Sequence, residues 1–197
     1  MQKLFQTQHS PSDYQRGMSG NYPDAPKRCP QKGCRANVML RKHGYYERNL
    51  ITINFVGMIM IRRYICPVCG KTLSMLPAFC TPRFQYAVKF IVLVLSLIFN
   101  GVSTRKMEKR LQKWCPAAER RQFRFYRQRL KENRGFIQYG INQISPEHIS
   151  LGNIPGTETW AKRFLCEIKR HNQTNGFNVQ FHDTTEKAFM TLQTRIA

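Results

Sequence analysis

The chain has 197 residues and a formal net charge of +21, from 32 Lys and Arg against 11 Asp and Glu. That imbalance disfavours cationic partners and favours polyanions, which bind with release of counterions and therefore with an affinity that falls as salt rises. An odd count of seven cysteines, without an apolar leader at the N-terminus, disfavours a disulfide framework and points to metal-binding thiols in a reducing, cytoplasmic setting.

Residues 1–27 are rich in Gln, Ser, Pro and Tyr and show no apolar period, which predicts a flexible arm. A metal module is expected over 28–80, with strands at 43–50 and 58–65 forming a small β-hairpin ribbon. In the second strand Ile59, Ile61 and Ile65 share one face, opposite Met58, Met60 and Tyr64. A helical domain follows at 83–135. Its first helix, near 85–99, is apolar almost all round; Lys89 and Asn100 close its apolar run far short of the about 20 residues that cross a membrane, so it reads as buried. Asn100-Gly101 marks a turn, Ser103 an N-cap, and Val102 with Met107 a hydrophobic staple. In this second helix Met107, Leu111 and Trp114 fall on one inward face. Pro116 is placed to open a third helix, whose apolar stripe is Phe123, Tyr126 and Leu130. Phe125 lies off that stripe and is expected against the C-terminal segment. Residues 136–157 read as a linker, and 158–197 as a small α/β segment ordered helix, strand, helix. There Trp160, Phe164 and Ile168 are inward, Phe177, Val179 and Phe181 alternate as a strand, and Asp183 to Glu186 form a capping box before an inward Phe189, Leu192 and Ile196. The whole reads as an α+β fold.

The chemistry concentrates in two cysteine knuckles, Cys-Pro-Gln-Lys-Gly-Cys at 29–34 and Cys-Pro-Val-Cys-Gly-Lys at 66–71. Four thiolates on two short loops suit a tetrahedral zinc ion, which offsets their charge, so Cys29, Cys34, Cys66 and Cys69 are the expected ligands. A shell of four cysteines leaves no open position for water and makes the zinc structural. His43 and Cys80 are the substitutes should either cysteine of the first knuckle not ligate. Cys80, Cys115 and Cys166 otherwise read as small buried apolar residues.

The charge gathers on the helices. A capped second helix followed by an arginine-laden third has the layout of a helix-turn-helix, whose last helix enters the major groove. Arg120, Arg124, Arg127, Lys131 and Arg134 are the candidate contacts on the third helix, Arg105 and Lys106 on the second, and Arg62 and Arg63 beside the second knuckle.

Residues 29–77, with His-Gly-Tyr-Tyr-Glu-Arg at 43–48, resemble the N-terminal zinc-ribbon region of bacterial insertion-sequence transposases and related mobile-element proteins. Residues 97–111 look like the helix-turn-helix that commonly follows such ribbons. The resemblance implies recognition of double-stranded DNA at mobile-element ends, with the cysteines holding the metal. It does not extend to catalysis. Those enzymes use a carboxylate triad holding divalent metal, whereas this chain has only Asp13, Asp24 and Asp183 as aspartates. The expectation is a non-catalytic, nucleoid-associated partner of a separately encoded transposase or integrase, with no membrane association. The alternatives are a degenerate or cryptic transposase or nuclease using Glu108, Glu119, Glu132 or Asp183, and a zinc-ribbon transcriptional regulator or RNA-binding protein.

Overall fold

The computed structural model describes residues 1–17, 21–144, 151, 154–170 and 174–191. The N-terminal residues expected as an arm carry two elements, strand β1 (Gln2–Phe5) and helix α1 (Pro11–Arg16). Each is too short to show a period in sequence. Ser10 caps α1 by accepting from the Asp13 N–H, and the helix buries Tyr14 in a cluster with Ile59, Ile61 and Phe79.

The β-hairpin is part of a larger sheet. Strands β2 (Arg41–Ile51) and β3 (Val56–Ile65) pair antiparallel, β4 (Thr72–Pro77) returns along β3, and β1 adds to β4 in parallel, giving the order β1-β4-β3-β2. Leu4 of β1 is buried and the terminal amine of Met1 donates to Thr72 O at 3.1 Å, so long-range pairing is what orders this segment. Both faces of the middle of β3 are covered. Ile59 and Ile61 pack towards Leu50, Phe79 and Ala87, while Tyr64 on the other face joins Cys29, Leu40, Cys66, Leu73 and Met75 in a separate small core.

Sheet and helices are joined by backbone and by buried polar side chains. Ile51 forms a bridge with Tyr86 through Ile51 N–H to Gln85 O and Ala87 N–H to Ile51 O, both at 2.9 Å. This pairing delays the start of helix α2 (Val88–Phe99), which begins after the bridge rather than near residue 85. Eight of the residues of α2 are buried, consistent with its all-round apolar sequence. Arg48 donates through Nη2 to Thr81 O at 2.8 Å and Phe84 O at 2.5 Å. Buried Asn178 reaches back a hundred residues to donate to Ala78 O and Cys80 O, both at 2.8 Å.

Helix α3 (Thr104–Leu111) starts at Ser103, whose hydroxyl accepts from Lys106 N–H at 3.3 Å. Met107 and Leu111 are buried, but the helix ends at Leu111 and Trp114 is 71% exposed instead of inward. Pro116 lies in the following turn; helix α4 (Arg120–Glu132) begins four residues later, burying the expected Phe123, Tyr126 and Leu130. Phe125 meets Phe84 at 6.2 Å between ring centroids, with Arg129 over it at 4.9 Å, rather than the C-terminal segment.

The region expected as a linker opens with a helix, α5 (Arg134–Ile144), which buries Ile137, Gly140 and Ile141; residues 145–150 and 152–153 lie outside the described residues. Helix α6 (Thr157–Arg170) falls where a helix is expected, and Trp160, Phe164 and Ile168 are buried. Cys166 on the same helix is exposed, contrary to expectation. The predicted strand at 177–181 is helix α7 (Thr174–Thr185). Phe177 and Phe181 are four apart, as are Thr174 and Asn178 and then His182, so the buried set follows a helical stripe as readily as an alternation. Asp183 accordingly sits inside the last turn of α7 and not ahead of a helix; Phe189 is buried beyond it, whereas Leu192 and Ile196 lie outside the described residues. The C-terminal helices complete the same apolar core as α2 and α4.

At Gly140 α5 lies directly against the Phe181 ring of α7. A Cβ there would meet the Phe181 ring at 2.3 Å. Gly140→Ala should therefore destabilise the protein by about 1–3 kcal/mol through overpacking, despite the roughly 1 kcal/mol that alanine gains in helix propensity. Urea unfolding of the two proteins measures the difference.

Candidate metal centre and cationic helical edge

The first knuckle lies before β2 and the second in the β3–β4 turn, so folding the sheet carries the two cysteine pairs to one place. The Sγ atoms of Cys29, Cys34, Cys66 and Cys69 all lie within 4.8 Å of one another, with Cys29 to Cys69 at 3.8 Å and Cys34 to Cys66 at 3.9 Å. A tetrahedron with metal–sulfur bonds of about 2.3 Å has edges of about 3.8 Å. These four cysteines are thus placed to hold a metal ion, as their spacing in sequence anticipates. His43 is exposed on β2, and Cys80 and Cys115 are buried in other clusters.

The loops are built to face sulfur. In the second knuckle Cys66 N–H donates to Lys71 O and Gly70 N–H to Cys66 O, with Gly70 in the left-handed region at φ +66°. In the first, Cys29 N–H donates to Ala36 O and the left-handed residue is Arg35 at φ +48°, again directly after the second cysteine. Gly33, inside the first knuckle, is not in the left-handed region. Backbone N–H groups of Cys69 and Val68 point at the Cys66 sulfur, that of Gln31 at Cys29, and that of Ala36 at Cys34. The Cys69 N–H above all draws the Cys66 thiol down to about 7, whereas burial pushes Cys29 up to about 12. Such donors stabilise thiolates and orient them for a cation, whose own charge then outweighs the cost of burying them. Lys32, between the first two cysteines, pairs with Glu186 at 2.9 Å and ties the knuckle to the end of α7.

The expected nucleic-acid contacts divide into three groups. Arg62 is only 7% exposed, lying 4.4 Å over the Tyr45 ring and 5.6 Å over that of Tyr64, and Arg63 reaches Thr72 Oγ1 at 3.4 Å. Arg62 therefore braces the sheet and does not project from the hairpin tip. On α4, Arg127 Nη2 and Lys131 Nζ both donate to Glu158 Oε1 at 2.8 Å; Arg134, which opens α5 instead of continuing the third helix as expected, donates to Ile154 O at 2.7 Å and lies 5.7 Å over Trp160. The C-terminal half of the basic stripe thus docks the start of α6. Glu158, which sequence reading leaves unassigned, is held down to about 2 by Lys131 first and Arg127 second.

The third group stays outward. Arg105 and Lys106 on α3 are exposed, as are Lys109, Arg110 and Lys113, and so are Arg121 and Arg124 on the first turns of α4. Glu108 receives Arg120 twice, from its backbone N–H at 3.0 Å and from Nε at 2.7 Å. That pairing fixes α3 to the start of α4, where Glu108, Glu119, Arg120, Arg121 and Arg124 line an open cleft. Arg121 was absent from the residues singled out in sequence; its signal was the doubled arginine at the helix start.

Residues 29–114 match the model of a family described as a domain of unknown function (DUF6431). The match begins on the first cysteine of the metal centre and ends at Trp114, so it spans both knuckles, the hairpin, β4, α2 and α3. No curated protein and no solved structure matches the chain. Among the described residues no helix is long and apolar enough to cross a membrane.

Two outcomes follow from this geometry. Titration with cobalt(II) should reveal a tetrahedral tetrathiolate spectrum, with affinity that falls as pH falls because the thiols must lose protons; Cys66→Ser should cost more than the roughly 10–100-fold that loss of an outer-shell partner costs. For Glu158, a carboxyl held below its ordinary 4.5 contributes stability that is complete above that value and is lost as pH falls towards about 2. The stability gap between wild type and Glu158→Gln in urea should therefore persist at pH 4.5 and close only in stronger acid.

Proposed function

We propose that the protein is a DNA-binding protein in which a structural zinc ion fills the four-cysteine site and duplex DNA is held by α3 and the first turns of α4. The exposed row Arg105, Lys106, Lys109, Arg110, Lys113, Arg121 and Arg124 carries this reading. In a helix-turn-helix the N-terminal residues of the recognition helix reach base edges while the preceding helix crosses the backbone, and this is the end of α4 that α6 leaves uncovered. The turn between α3 and α4, residues 112–119, is longer than the usual three or four residues, and the Glu108–Arg120 pair supports it. Zinc is favoured because four thiolates in a closed tetrahedron are its commonest structural site.

The likeness of residues 29–77 and 97–111 to transposase N-terminal regions supports a place in a mobile element, as the recognition partner of a separately encoded transposase or integrase. On this reading the protein itself does not cut DNA and works in the cytoplasm. Fragment selection from genomic DNA should then enrich inverted-repeat ends.

Fluorescence anisotropy on a duplex tests the binding surface. The logarithm of affinity should fall with the logarithm of salt by roughly 0.9 per phosphate contact, and Arg121→Ala with Arg124→Ala should reduce the slope by about 2 and the affinity by tenfold or more. Arg127→Ala with Lys131→Ala should change binding far less. Salt-independent binding, or binding indifferent to Arg121 and Arg124, would refute the assignment.

A further inference from the structure

Trp114 is the largest side chain that the fold leaves in the open, at 71% exposed, and it stands on an unusually well-anchored turn. The residues around it are fixed. Leu111 and Cys115 are buried, Trp114 and Cys115 N–H groups both donate to Leu111 O at 3.0 and 2.7 Å, and Gln112 Nε2 donates to Ala118 O at 3.2 Å. Tyr86 from the start of the α2 region donates through its hydroxyl to Ala117 O, closing the turn from the other side. A turn anchored this way presents the indole to solvent from a fixed backbone, so that only the side chain remains to be ordered on binding.

Its surroundings are cationic. From Lys109 to Ala118 the chain contains Lys109, Arg110 and Lys113 and no acidic residue. All three cations are exposed, and Glu108 just before them is occupied by Arg120. An exposed aromatic face among backbone-binding cations is the combination that holds unstacked bases: the ring stacks on any base while the cations meet the phosphates. A protein-binding apolar patch would need apolar neighbours, and of the exposed residues flanking Trp114 in the chain, Gln112, Lys113 and Pro116, only Pro116 is apolar.

We propose that Trp114 is a stacking platform for an unpaired base, so that the preferred ligand is duplex DNA that continues into a single-stranded end. This rests on the DNA-binding reading above and adds the strandedness of the ligand. Lys113, next to Trp114 in the turn, contacts the first phosphates of the tail, and the cations of α3 and α4 contact the duplex.

The test compares a blunt duplex, the same duplex with a short thymidine tail, and the same duplex with an abasic tail of equal charge. Wild type should bind the thymidine tail roughly tenfold more tightly than the abasic one, the scale of a stacked base. Trp114→Ala should erase that difference while leaving blunt-duplex affinity unchanged, and Trp114→Phe should keep most of it. Because Trp160 is buried, quenching of the solvent-exposed indole emission by the thymidine tail alone reports the contact directly. Equal affinity for the two tails, or a difference that survives Trp114→Ala, overturns the platform while the duplex-binding reading stands. Failure to bind the blunt duplex overturns that reading instead, and thymidine against abasic single strands then judges Trp114 alone. A uridine ribonucleotide tail preferred over thymidine overturns the assignment to DNA.

Discussion

Four cysteine sulfurs within 4.8 Å of one another are placed to hold a metal ion, and an ion there would cross-link the two knuckles that carry them. That cross-link would join the loop at 29–34 to the β3–β4 turn, and the small core of Cys29, Leu40, Tyr64, Cys66, Leu73 and Met75 includes two of the four cysteines. A core of that size contributes little against the conformational entropy of the loop it must order. The remaining sheet order depends on the same end. Strand β4 begins at Thr72, next to the second knuckle, and β1 pairs in turn with β4.

From β3 the order passes into the helices through specific polar contacts. The Ile51–Tyr86 bridge, Arg48 on the carbonyls of Thr81 and Phe84, and Asn178 on those of Ala78 and Cys80 all grip the connection that leads into α2. Buried polar groups left unsatisfied are costly, so these pairings specify one docking of helices on sheet. The four-cysteine end of the sheet and the helical half are consequently continuous, and α6 and α7 belong to the body that presents α3 and α4.

That arrangement sorts the charge. Summed over the chain the field is uniformly attractive to polyanions, yet Arg62 lies between tyrosines, Arg127 and Lys131 are bound to Glu158, and Arg120 is bound to Glu108. Of the cations on α3, its turn and α4, those that remain outward form a shorter and more localised edge along α3, the turn and the start of α4. Surface ion pairs of this kind contribute little stability; their consequence here is to direct which cations meet a ligand.

The metal site was legible in sequence because ligand chemistry demands a residue type at fixed spacing, and Cys29, Cys34, Cys66 and Cys69 meet as that spacing requires. The hairpin strands, the Ser103 cap and the apolar stripe of α4 were legible for a similar reason, since caps and periods are local. Residues 2–5 become a strand only because the edge of β4 is free to pair, and residues 174–185 become a helix because Phe177, Asn178, Phe181 and His182 bury together against neighbours distant in sequence. Sequence alone determined a basic chain with two cysteine pairs at metal-ligand spacing and arginines on a helical stripe. Which arginines face outward, and that Trp114 does too, was decided by tertiary structure, because a charge or a ring is free only where no partner from elsewhere in the chain reaches it.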